Sequence, residues 1–191
     1  TMLLILSYPI SRWQLILGKF VGHLSILAIA LAMGYGAAVA AILVWGGGVA
    51  AAELAAFGGL VGTSILLGAV FIAIGYLISC WVSERATAAG LAVGVWLLFA
   101  LLYDMALLGI IVADGGQGVS SGVFNMLLML NPADAFRLFN LTGFDAVSAM
   151  TGMSAAVSRA SLSPLVSLLA LSLWVILPLW ITVHRFRRKE L

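Results

Sequence analysis

Four stretches of this sequence, residues 20–45, 54–82, 86–113 and 162–183, are apolar and long enough to cross a bilayer. A helix rises ~1.5 Å per residue, so about 20 residues cover a ~30 Å hydrocarbon core, and every one of the four exceeds that length. The expected fold class is all-α: a polytopic membrane helix bundle, forming a single transmembrane domain over residues 1–191.

Charge supplies the orientation. With the spans laid in alternating directions, Arg12, Lys19, Arg85, Arg185, Arg187, Arg188 and Lys189 share one side, and only Arg137 and Arg159 of the nine Lys and Arg residues fall on the other. Basic residues are retained on the cytoplasmic side, so the C-terminus is expected inside and residues 114–161 form an extracytoplasmic region. Hydrophobic residues make up 64% of the chain and charged ones 8%, which describes a protein surrounded by membrane lipid. The net charge of +2 comes from these retention charges and implies no nucleic-acid partner. The start of the sequence shows neither a charged n-region nor a small-residue cleavage site, and reads as the inner end of a preceding segment.

Enzyme classes find little support. The only Gly-Lys, Gly18-Lys19, is followed by Phe20 and has Trp13 where a Walker A loop needs its first Gly. The run from Gly62 lacks the closing Gly of a nucleophile elbow, because position 66 is Leu. Cys80 is the single cysteine and His23 and His184 lie far apart in the sequence, so no catalytic or structural zinc set exists and no intrachain disulfide can form. Met105, Met126, Met129, Met150 and Met153 are frequent on the outer side, and thioethers can ligate Cu(I). Without His or Cys beside them and without repeated spacing, they read as gap-filling side chains. No catalytic residue, metal site or cofactor is therefore expected on this chain.

The most specific local signal is the cytoplasmic segment 7–19. Pro9 ends or kinks whatever precedes it. Ser11 and Gln14 have the S-x-x-Q spacing of a capping box, and Ile10 and Leu15 are placed to form a hydrophobic staple around it. Arg12, Trp13 and Lys19 suit the headgroup level before the helix enters lipid at Phe20. From the residues alone this elbow is either a helix corner with interfacial anchors or a docking knob for a cytoplasmic partner.

The outer region carries a second signal. Residues 123–130 form an apolar run of eight, about 12 Å as a helix, too short to cross and so expected to dip in and return. Asn131 reads as an N-cap, Pro132 as the first helical residue and Asp134 as a first-turn acid. Asp134, Arg137 and Asn140 recur every third residue while Phe136, Leu138, Phe139 and Leu141 point elsewhere, so this second short helix is expected to lie at the membrane interface. Asp104 is the one acid well inside a span and marks a face turned to the bundle interior or to water, serving either a pathway or structure alone. Gly18 with Gly22, Gly58 with Gly62 and Gly90 with Gly94 each place two positions without side chains on one helix face, where close helix approach is expected, a dimer seam being one use.

The run containing Tyr8, Pro9, Ile10, Ser11, Arg12, Gly18 and Lys19 resembles the first cytoplasmic loop of type-2 ABC transporter permeases. That resemblance implies a coupling helix gripped by a separate ATP-hydrolysing subunit, six spans in the whole protein and hence two before Thr1. The outer run 131–141, with Asn131, Pro132, Asp134, Phe136, Arg137 and Phe139, resembles the NosY-type permeases of nitrous oxide reductase maturation. It implies an outer gate or a contact for a periplasmic partner at those residues. Also implied are a bacterial inner-membrane location, a homodimer, a NosF-type ATPase carrying the ATP, a NosD-type periplasmic protein and a role in copper-site assembly. The alternative is a membrane scaffold that joins cytoplasmic and periplasmic partners without transporting anything.

Overall fold

A computed structural model describes residues 11–46, 48–113, 120–143 and 163–188, and every regular element among them is helical. In chain order these are α1 (Arg12–Trp45), α2 (Ala51–Trp81), α3 (Arg85–Leu97), a π-helical turn (Leu98–Leu102), α4 (Tyr103–Ala113), α5 (Ser121–Leu130), α6 (Pro132–Thr142) and α7 (Pro164–Arg188). α1, α2, the continuous α3–π–α4 rod and α7 are the four helices long and apolar enough to cross a membrane. Tyr8, Pro9, Ile10, Met150, Met153 and Arg159 lie outside the described residues.

Local chemistry accounts for the helix starts. Ser11 takes extended backbone angles before α1, and its N–H donates to Gln14 Oε1 at 3.0 Å. Only this half of the expected capping box forms, since the Ser11 hydroxyl is buried without a partner. α2 uses the same return contact, from the Ala50 N–H to Glu53 Oε2 at 3.0 Å. α1 then runs unbroken for 34 residues, roughly 50 Å, so its first turns reach beyond a ~30 Å core.

α2 is the centre of the bundle and packs most extensively on α7, then on α1, α3 and α6. One buried cluster joins Val70 and Ile74 of α2 to Leu171 of α7 and Ala135 of α6. A second seats Phe20 of α1 against Ala69 and Ala73 of α2. Small residues there allow backbones to approach, which is how helices associate when the surroundings are as apolar as they are. The remaining faces carry exposed large hydrophobics, among them Ile26, Ile29 and Met33 of α1 and Leu101, Met105 and Leu108 of the third span, as a lipid-facing surface requires.

One expectation is corrected. A Cβ added at Gly18, Gly22, Gly58, Gly62, Gly90 or Gly94 would meet open space, so these pairs do not build the packing within the chain. The close approach lies instead at Gly68, where Leu27 of α1 occupies the room a Cβ would need. One face of α6 is drawn into the bundle, while Arg137 on it stays exposed. Asn131, Asp134 and Leu138 are all buried, and α6 packs against α2 and α7.

Candidate functional site

The short helices α5 and α6 meet the spans at one polar joint. α5 ends at Leu130, and the last carbonyls of any helix lack partners within it. Two spans supply them: Tyr103 Oη donates to the Leu127 carbonyl at 2.7 Å, and Trp174 Nε1 donates to the Met129 carbonyl at 3.2 Å. Asn131 follows directly. Its Oδ1 accepts from the Ala133 N–H at 3.0 Å, capping α6, with Pro132 at the first helical position. Its Nδ2 donates to Asp134 Oδ2 and to the Phe99 carbonyl, each at 2.9 Å.

Phe99 lies in the π-helical turn, where one residue too many for an α-helical turn displaces carbonyls from the i→i−4 ladder. Asn131 takes up one such carbonyl. Arg137 reaches the next, Ala100, from Nη2 at 3.5 Å, and from Nη1 donates to Asp134 Oδ1 at 3.0 Å and to Asp104 Oδ2. The acid inside the third span is therefore paired with a base on α6. One turn further along α6, Asn140 Nδ2 donates to Thr63 Oγ1 of α2 at 3.1 Å, so the polar face of α6 bridges two spans.

The electrostatics of this joint are unbalanced by design of its residues: two carboxylates face one guanidinium. Burial pushes the Asp134 carboxyl up to about 6, aided by the hydrogen bond and charge of Asp104, against the opposing Asn131 amide and Arg137 guanidinium. For Arg137 burial disfavours the charged form, but its contacts with Asp104 and Asp134 outweigh this and raise its value. Among the described residues no group of three or more His, Cys, Asp and Glu side chains is placed to hold a metal ion.

At the opposite end of the bundle, Lys19 and Gly18 are exposed on the second turn of α1, and Ile16 and Phe20 face inward. His23 Nδ1 lies 2.6 Å from Tyr76 Oη of α2, which ties α1 to α2 just above Phe20. Trp81 lies under the Arg185 guanidinium at 5.6 Å, joining the end of α2 to the basic tail of α7.

A family model described as "ABC-2 family transporter protein" matches residues 1–191. The chain belongs to this family. As a permease it is the membrane subunit of an ABC transporter and a multi-pass membrane protein. Among curated relatives, a probable ABC transporter permease protein NosY of Pseudomonas aeruginosa is 46% identical over 192 residues, covering all of this chain and 69% of that protein. A protein of the same description from Stutzerimonas stutzeri is 41% identical over 184 residues, covering 96% of this chain and 64% of the relative.

The permease's expected site residues separate into two groups. Asn131, Pro132, Asp134, Arg137 and Asp104 converge on the polar joint of α5 and α6, and Phe136 packs into the main core beside them. Ser11, Gly18 and Lys19 sit at the far end of α1, while Phe139 is half-buried on α6. Sequence reasoning missed Phe99, Tyr103, Thr63 and Trp174. Asn140 was the available signal: its three-residue spacing from Arg137 placed it on the polar face that reaches Thr63.

Proposed function

We propose that this permease serves the maturation of the copper site of nitrous oxide reductase, working as a homodimer in the bacterial inner membrane with its C-terminus cytoplasmic. A NosF-type ATPase, which carries the ATP, grips residues 8–19, with Tyr8, Pro9, Ile10, Ser11, Arg12, Gly18 and Lys19 as the coupling segment. A NosD-type periplasmic protein engages the outer face around α5 and α6. Likeness to two NosY proteins along nearly the whole chain supports the system.

One structural observation carries the mechanical reading: α1 is a single rod from Arg12 onward, and Phe20 of that rod packs on Ala69 and Ala73 of the helix that also bears Thr63. Displacement at the inner start of α1 would be passed by α2 to α6 and so to the Arg137–Asp104 pair. The scaffold reading draws on the same pair, because Asp104 is neutralised within the chain. The test is the copper content of nitrous oxide reductase from cells expressing the full-length permease. Arg12→Glu should lower it at unchanged permease abundance, whereas full copper loading would refute the coupling role.

A further inference from the structure

α1, α2 and α7 line an open groove of about 280 Å³ at the basic end of the bundle. Leu15, Ile16 and Phe186 form apolar walls, Tyr76 and Ser79 bring hydroxyls, and Lys19 stands at the rim. Tyr76 is held in place by His23 and by an edge-on contact with Phe20. The Thr182 hydroxyl behind it is turned back to the Pro178 carbonyl at 2.7 Å.

The level of this groove in the membrane is set by tryptophans. Trp13, Trp81 and Trp180 are 47%, 60% and 63% exposed at this end, and indoles concentrate at the headgroup layer. Two nearby basic groups are already engaged, Arg185 over Trp81 and His184 stacked on Trp180 at 5.6 Å. Lys19 differs. Among the described residues both ion pairs belong to Arg137, which leaves the Lys19 ammonium without a counter-ion beside an apolar groove.

We propose that this groove binds one anionic phospholipid, with the phosphate on Lys19 and the upper acyl chain along Leu15, Ile16 and Phe186. The cytoplasmic leaflet is rich in such lipids, and a basic side chain near its surface attracts them. The volume lies just under the roughly 300–1,000 Å³ of ligand pockets, so the groove takes the headgroup region and the rest of the chain lies on the lipid-facing surface. The site rests on the cytoplasmic placement of this end proposed above, and not on ATP-driven transport.

The test is native mass spectrometry of the full-length protein, without its ATPase, in detergent supplemented with phosphatidylglycerol or phosphatidylcholine. One retained phosphatidylglycerol is expected, reduced about fivefold by Lys19→Gln and restored by Lys19→Arg. Arg185→Gln should leave retention unchanged, and Leu15→Trp, which fills the groove, should abolish it. Size-exclusion profiles establish that each variant is folded, and Leu15→Trp carries the test if Lys19→Gln is not. Equal loss in Arg185→Gln, retention in Lys19→Gln or Leu15→Trp, or displacement by millimolar inorganic phosphate would overturn the site. Loss of ATPase-subunit capture by Leu15→Trp with lipid retained would assign the groove to a protein and overturn it equally.

Discussion

Asn131 Nδ2 donates to the carbonyl of Phe99 across 32 residues of chain, so the cap of α6 and the bulge of the third span form one joint. Replacing Asn131 by Ala removes the cap and orphans a displaced carbonyl together with one partner of Asp134. Together these should cost about 2–4 kcal/mol. Asn131→Ser keeps a capping oxygen and should cost less. Thermal unfolding in detergent distinguishes the two, and equal losses would show that the capping oxygen contributes nothing and that the whole effect lies in the Phe99 and Asp134 contacts.

Arg137 faces two carboxylates, and Arg137→Gln leaves them repelling each other. Because the guanidinium is 46% exposed, a loss of ~1–3 kcal/mol is expected rather than the full cost of a broken buried pair. Adding Asp104→Asn to Arg137→Gln should recover part of that loss. A double-mutant cycle with no coupling would contradict the ion pair.

How much of this was legible beforehand depended on the kind of signal. The four apolar stretches named the spans, and Ser11 with Gln14 and Asn131 with Pro132 marked two helix starts to the residue. The bulge at Leu98–Leu102 carried no mark, for Leu-Phe-Ala-Leu-Leu contains neither Pro, Gly nor a polar group that would disturb an α-helix. The partner of Asp104 was likewise hidden, because spacing along one helix says nothing about which distant residue completes a pair. The polar face of α6 was legible from the three-residue spacing of Asp134, Arg137 and Asn140, but not the spans it would meet, because spacing along one helix names no distant partner.

Asp134 gives a pH dependence with a defined sign. Its native value of about 6 exceeds the ordinary 3.8, so the folded protein holds the proton more tightly. The resulting stabilisation is complete below about 3.8 and is lost as pH rises through about 6. The melting temperature should therefore fall between pH 5 and pH 7, and Asp134→Asn should flatten that slope. A wild-type slope of opposite sign would contradict the assignment.

Glycine substitutions should divide by position. At Gly68 a Cβ meets the end of Leu27, so Gly68→Val should loosen the α1–α2 contact by about 1–3 kcal/mol. Gly90→Ala and Gly58→Ala enter open space and should leave thermal stability unchanged or raise it by about 0.5–1 kcal/mol. Destabilisation of the folded chain by Gly90→Ala would show a neighbour pressed against that face.

The proposed function has an ATP-hydrolysing subunit grip the start of α1, and its direct test is capture of that subunit by the tagged full-length permease. Wild-type protein should retain it, and Arg12→Glu should lose most of it while inserting into the membrane to the same extent. Undiminished capture by Arg12→Glu would contradict the assignment.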